Sequence, residues 1–177
     1  MTREELKALV RTVPDFPARG IQFRDVTTLV AHPQGLASTI ELLAALAPSC
    51  TAAVAGIEAR GFIFGAALAA RLGLGFIPVR KAGKLPVPTI GADYALEYAE
   101  ARIEIDPTLV APGQRVLLVD DLIATGGTAL AAAGLLHQAG ALCDHALFVI
   151  DLPDLGGADL LREAGVAATS LIEFAGH

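Results

Sequence analysis

Val116-Leu117-Leu118-Val119-Asp120-Asp121-Leu122-Ile123-Ala124-Thr125-Gly126-Gly127-Thr128 is the stretch on which the fold of this chain turns. Four apolar β-formers run into two adjacent carboxylates. A turn rich in Thr and Gly follows, and the Ala-rich segment from Ala129 to Leu136 reads as a helix. A buried parallel strand ending in a turn at a helix N-terminus is a place to hold a phosphate, because free backbone N–H groups and the positive end of the helix dipole converge there. Gly126 and Gly127 let the backbone close on an anion without Cβ obstruction. Asp120 and Asp121 cannot hold that phosphate, since like charges repel. They suit hydroxyl groups, which donate hydrogen bonds, or a divalent cation. A sugar phosphate with free hydroxyls fits both halves, although a carboxylate pair after a buried strand also occurs in α/β folds of every function. No Gly-Lys-Ser/Thr follows the glycines and they are not in G-x-G-x-x-G order, so a P-loop NTPase and a dinucleotide dehydrogenase are poorly supported.

Outward from this segment, strands and helices alternate. Thr2 caps a first helix with Glu4 and Glu5 in its first turn, and Pro14 stops it. Residues 15–25 are punctuated by Pro and Gly and read as an ordered loop. Residues 33–47 are helical, 52–57 a short apolar strand, 61–72 a helix and 74–79 a strand. Residues 81–93 lack periodicity and read as a mobile loop, followed by a β-hairpin of 94–98 and 101–105. Residues 115–119 form the central strand and 127–138 a helix; 142–150 are a strand, 154–163 a helix and 167–172 a last strand. The expected class is therefore α/β, with a mostly parallel central sheet flanked by helices. No repeat or linker divides the chain, so 1–177 is expected to be one domain, with a small N-terminal hood of about residues 1–30 and a core of about 33–177.

Composition narrows the function. The longest apolar candidate for a membrane span is residues 61–70 between two arginines, too short to cross. The first residues show no basic-then-apolar run, so no secretory leader is expected. Cys50 and Cys143 lack metal spacing and read as small core residues in a reducing, cytoplasmic compartment. The net charge of −6 argues against nucleic acid as a partner. Histidines 32, 137, 145 and 177 have no ligand spacing and receive no chemistry.

Against the acidic background, Arg80, Lys81 and Lys84 stand out beside Gly83. They are either a solvated basic loop or a clamp for an anion such as a leaving pyrophosphate. Glu58-Ala59-Arg60-Gly61 is a second strand-to-helix turn; by itself it is either a surface ion pair or a second ligand-binding end of the sheet. Phe23 is either a core ring or a surface on which a purine stacks.

DDLIATGGT, residues 120–128, resembles the phosphoribosyl pyrophosphate (PRPP) signature of type I phosphoribosyltransferases. EARGFIFG from Glu58, RKAGKLP from Arg80 and LEY from Leu96 are similar to the adenine phosphoribosyltransferases within that family. The resemblance implies the type I phosphoribosyltransferase fold with a hood and a flexible hairpin loop. It implies transfer of the 5-phosphoribosyl group of PRPP to adenine, giving AMP and pyrophosphate in purine salvage. By that resemblance Asp120 and Asp121 hold the ribose hydroxyls, and Ala124, Thr125, Gly126, Gly127 and Thr128 wrap the 5′-phosphate. Glu58, Ala59, Arg60, Arg80, Lys81 and Lys84 meet the pyrophosphate, with a cis peptide at Glu58-Ala59. Glu97 is the acid/base acting on the purine ring, with Tyr98 and Arg60 completing the catalytic set; Ala99 stands where the family usually has Gly. Gln22, Phe23, Arg24 and Leu155 surround the adenine. Mg²⁺ is the expected cofactor, held mainly by substrate oxygens and water. The partners are PRPP, adenine, AMP and pyrophosphate, and the family is usually homodimeric. The rival readings are a PRPP-dependent transferase for another base and a non-catalytic PRPP-binding regulator.

Overall fold

A computed structural model describes residues 1–95 and 100–176. Two sheets are present. The smaller is a hairpin of β1 (Arg11–Pro14) and β2 (Gln22–Asp25). The larger has seven strands in the order β5-β6-β4-β3-β7-β8-β9. Its parallel part comprises β4 (Gly75–Lys81), β3 (Ala53–Ile57), β7 (Val116–Ile123), β8 (His145–Asp151) and β9 (Ala167–Glu173). The antiparallel hairpin of β5 (Ile90–Ala95) and β6 (Glu100–Ile105) extends one edge through β4.

Helices cover both faces, as the apolar runs require. On one side α1 (Arg3–Leu9), α2 (Thr27–Ala31), α3 (Pro33–Leu46) and α4 (Gly61–Leu72) bury Leu6, Leu29, Leu43, Phe64 and Leu68. On the other, α5 (Gly127–Gln138) and α6 (Gly157–Glu163) bury Leu135, Leu136 and Leu161 against Leu118 and Phe148. Local rules set the helix ends. The Thr2 hydroxyl accepts from the Glu5 amide at 3.2 Å while the Glu5 carboxylate accepts from the Thr2 amide at 2.8 Å. Among the described residues no helix is long and apolar enough to cross a membrane.

Chain order within the sheet matters for the site. From β3 the chain moves outward to β4, whereas from β7 it moves the other way to β8 and β9. The order reverses between β3 and β7, and the crevice beyond the carboxyl ends of two such strands is where open α/β sheets take ligands. α4 comes down directly on this junction. A Cβ on Gly61 would lie 2.6 Å from Asp120 Oδ1 and 3.1 Å from the Val119 carbonyl oxygen, so only glycine lets the helix start so close to β7.

Several boundaries differ from the sequence reading. The first helix ends at Leu9 rather than at Pro14, and residues 15–25 are not all loop: Gln22–Asp25 pairs antiparallel with Arg11–Pro14, and Arg11 Nη2 meets Asp25 Oδ2 at 2.5 Å across the hairpin. β7 does not stop at Val119, because Leu122 and Ile123 continue the ladder with Ile150 and Asp151; both carboxylates therefore stand on the strand itself. The expected loop of 81–93 contracts to 82–89, since Arg80 and Lys81 pair with Glu104 and Ile103 and β5 begins at Ile90. The expected helix of 154–163 is interrupted at Gly156, whose φ of 72° ends a 3₁₀ turn (Pro153–Leu155) before α6 starts. The first part of the expected strand of 142–150 is loop, with Leu142 only bridged to Arg115.

Candidate active site

A cleft of about 340 Å³ opens at the β3–β7 junction. Its walls are residues 57–60 at the end of β3 and just beyond it, Lys81 of β4, Tyr94 of β5, and residues 120–129 at the end of β7 and the start of α5. Two of the motifs read from the sequence are far apart along the chain, and parallel pairing of β3 with β7 brings them together.

The 124–128 turn is shaped by backbone alone. Gly126 has φ 82° and occupies the N-cap of α5, where no side chain caps the helix. The first-turn amides of a 12-residue helix are thus directed at the cleft, together with the positive end of its dipole. The turn is braced from behind. The Gly157 amide donates to the Ala124 carbonyl at 3.0 Å, and a Cβ on Gly157 would lie 2.2 Å from that oxygen and 2.6 Å from the Gly126 nitrogen.

The two carboxylates differ. Asp121 is buried and forms an ion pair with the Arg60 guanidinium. Asp120 is half-buried, and its Oδ1 accepts from the Asp121 amide at 2.8 Å. Burial first, and then the neighbouring Asp121 charge, push the Asp120 carboxyl well above the ordinary carboxylate range; Arg60 opposes this weakly. Such a pair offers acceptor oxygens in the cleft with their charge partly matched by Arg60. That suits vicinal hydroxyls, which need acceptors but do not need full negative charge.

Opposite, the Glu58-Ala59 peptide is cis. Glu58 Oε2 accepts from Arg80 Nε at 3.0 Å and from the Lys81 amide at 2.8 Å. Burial works against ionisation of Glu58, but the Lys81 amide and the Arg80 guanidinium outweigh it and hold its carboxyl below the usual value. Arg80 therefore serves Glu58, with its guanidinium 5.8 Å from the Phe62 ring centre, and it does not line the cleft. Lys84 is exposed on the 82–89 loop, also outside the cleft wall. Among the described residues, the cations on the wall are Arg60 and Lys81.

The β1–β2 hairpin, in the segment expected to form the hood, approaches from one side. The Arg60 guanidinium lies 5.5 Å from the Phe23 ring centre, and Phe16 packs edge-on to Phe23 at 5.2 Å. Arg60 is thus shared between the carboxylate pair and the hood. Gln22 is half-buried on the same strand. The Arg24 side chain is engaged elsewhere, donating to Thr12 Oγ1 at 2.6 Å and to the Ala175 carbonyl at 3.1 Å. Leu155 sits on the Pro153–Leu155 turn and packs on the α1–α4 core. Glu97, Tyr98 and Ala99 lie outside the described residues. Two contributors escaped the sequence reading. Tyr94 lines the cleft, and its only local sign was its place in the Tyr-Ala-Leu-Glu-Tyr run. Gly157 braces the turn through a contact that no local pattern announces.

No group of three or more His, Cys, Asp or Glu able to hold a metal occurs among the described residues. The carboxylate pair fits a cation carried in by an anionic substrate and completed by its oxygens and water, the way Mg²⁺ commonly sits with phosphates.

Residues 25–159 match the family model described as a phosphoribosyl transferase domain. The chain is 67% identical to the adenine phosphoribosyltransferase of Novosphingobium aromaticivorans, over all of both chains. It superposes on the crystal structure of adenine phosphoribosyltransferase from Thermoanaerobacter pseudethanolicus with a TM-score of 0.92 at 45% identity, covering 98% of this chain and 100% of that one. The adenine phosphoribosyltransferase of Saccharomyces cerevisiae, solved with an imino-altritol bisphosphate and adenine, matches with a TM-score of 0.87 at 37% identity over 96% of this chain and 98% of that one.

Proposed function

This chain belongs to the phosphoribosyl transferase family, and we infer that the cleft at its β3–β7 junction joins a purine base to ribose 5-phosphate. The reaction is transfer of the 5-phosphoribosyl group of PRPP to adenine, giving AMP and pyrophosphate. The observation that carries this reading is the uncapped, glycine-built N-terminus of α5 standing next to the Asp120–Asp121 pair. One part suits a phosphate and the other a diol, and they sit on one wall of one cleft.

In this reading the amides of residues 124–128 take the 5′-phosphate, and Asp120 and Asp121 accept from the ribose hydroxyls. The Glu58-Ala59-Arg60 turn and Lys81 face the pyrophosphate. Arg80 acts through Glu58; the pyrophosphate role of Lys84, exposed on the 82–89 loop outside the cleft wall, rests on the sequence resemblance. Carbon-1 of the ribose passes through an oxocarbenium-like state, so charge leaves with the pyrophosphate and must be met there. Mg²⁺, when carried in with the substrate beside Asp120 and Asp121, would supply part of that neutralisation. Arg60 and Lys81 supply the protein's part. Once substrate hydroxyls engage Asp121, Arg60 is released from its ion pair toward the departing anion. Phe23 and Leu155 flank the adenine, with the backbone near Gln22 and Arg24 reading its edge. Glu97 manages the proton on the purine nitrogen and Tyr98 closes over the site; both assignments rest on the sequence resemblance. We read the chain as one domain acting as a homodimer in the cytoplasm. Of the two thiols expected in the core, Cys143 is buried there but Cys50 is exposed; both are free, in accord with a reducing compartment.

The test is AMP formation from PRPP and Mg²⁺ with adenine, beside hypoxanthine, guanine, xanthine and orotate. Turnover confined to adenine is expected. Turnover with another base overturns the base assignment, and saturable PRPP binding without turnover moves the chain to the regulators.

A further inference from the structure

Two segments carry the residues that this reading places against the base: β2, with Gln22 and Phe23, and the Pro153–Leu155 turn, with Leu155. A third segment, residues 174–176 after β9, ties them together. The Phe174 amide donates to the Asp151 carbonyl at 3.0 Å, anchoring the segment at the end of β8. The Ala175 carbonyl accepts from Arg24 Nη2 at 3.1 Å, one residue from Phe23. The Gly176 amide donates to Asp154 Oδ2 at 2.7 Å, one residue from Leu155. Two cations approach the Phe174 ring, with its centre 4.6 Å from the Arg24 guanidinium carbon and 5.0 Å from Lys7 Nζ.

Arg24 is committed to this arrangement. Its Nη1 donates to Thr12 Oγ1 across the β1–β2 hairpin, and its Nε is buried with no partner among the described residues. An unpartnered buried donor is unfavourable, so the remaining contacts of the side chain must outweigh it. The side chain does not line the cleft, so its effect on the base is through position.

We propose that Phe174, Ala175 and Gly176 form a strap that fixes the spacing between β2 and the Pro153–Leu155 turn, and so sets the width of the slot that takes the base. Arg24, Phe174 and Asp154 are positioning residues for it. The proposal rests on the reading that Phe23 and Leu155 flank the adenine. Its physical basis is the steepness of dispersion with distance: a gap wider by about 0.5–1 Å forfeits roughly a quarter to a half of the contact energy of each atom pair. A flat base held between two apolar faces depends on that spacing, whereas a phosphate held by backbone amides is fixed by directed hydrogen bonds.

Steady-state kinetics of Phe174→Ala, Phe174→Tyr and Asp154→Ala test it. Phe174→Ala is expected to raise KM for adenine about tenfold while leaving KM for PRPP within about twofold, and the ring-retaining Phe174→Tyr is expected to restore the adenine value. Asp154 is exposed, so Asp154→Ala gives the same split, smaller in size, without a folding defect. Equal rises in both KM values, or no change in either, overturn the strap. The wild type is the discriminating control: if it uses adenine while the variants show no split, the strap alone fails. If it does not use adenine, the base assignment fails with it.

Discussion

Asp120 and Asp121 are neighbours on β7 yet meet opposite surroundings. Asp121 is matched by Arg60, whereas Asp120 is penalised by burial and by Asp121 itself. The Asp120 proton is held more tightly in the folded chain than in the unfolded one, whose value is near 3.8. This group therefore favours folding at low pH and penalises it increasingly as pH rises above that value. Asp120→Asn, which keeps the acceptor for the Asp121 amide, is expected to raise the melting temperature at neutral pH. The gain should shrink toward pH 3.8, while AMP synthesis falls. Thermal melts across pH beside activity assays check this; a melting temperature lower than wild type at neutral pH would show that the Asp120 charge is not the burden described. The same residue pair shows what local sequence holds. Its chemistry and its place before a glycine turn were legible, but its inequality arises from α4 and Arg60, which the strand cannot report.

At the scale of elements, the 124–128 turn depends on α6. Gly157 packs its backbone on Ala124 and Gly126 so closely that a methyl group must displace the turn. Gly157→Ala is expected to raise KM for PRPP by about tenfold or more, with some loss of stability, whereas Gly134→Ala on the open face of α5 should be neutral or stabilising by about 0.5–1 kcal/mol. Kinetics and melts of the two variants separate a turn-specific effect from a general one. The hood hairpin is held by Asp25, whose carboxyl is drawn down to about 2 by hydrogen bonds from Thr27 and Arg11. The folded chain binds this proton less tightly than the unfolded chain. Its stabilisation is therefore present above pH 3.8 and disappears as pH falls toward 2. Asp25→Asn should cost on the order of 1 kcal/mol at neutral pH, given the exposure of Arg11, and cost nothing at the acid end. Urea titrations at several pH values measure it. From sequence the hairpin's first strand reads as the end of the first helix and its second as loop, because the pairing joins residues on either side of a Pro-containing turn and each strand is too short for period-2 patterning to show.

For the whole molecule, ligand linkage gives the broadest test. PRPP at a hundred times its Kd should stabilise the wild type by about 2.7 kcal/mol. Glu97→Gln should keep that shift and lose turnover. The double variant Asp120→Asn with Asp121→Asn should lose most of the shift while remaining folded. A Glu97→Gln variant with full turnover removes Glu97 from the chemistry, and a double variant with an undiminished shift removes the carboxylates from the ribose.

The residues by themselves determined the α/β class, the strand-turn-helix unit at 116–138, the second unit at 53–72 and the kind of ligand each suits. Those features are local: apolar runs, glycine at a turn and carboxylates beside it are constrained by neighbours along the chain. Tertiary structure decided which units meet. Parallel pairing of β3 with β7 places Glu58–Arg60 across from Asp120–Thr128, and the reversal of strand order there opens the cleft between them. It also separated Lys81, on the wall, from Arg80, turned to Glu58, although the two are adjacent in a strand. Successive strand residues point to opposite faces, and only the neighbours on each face settle what each side chain meets.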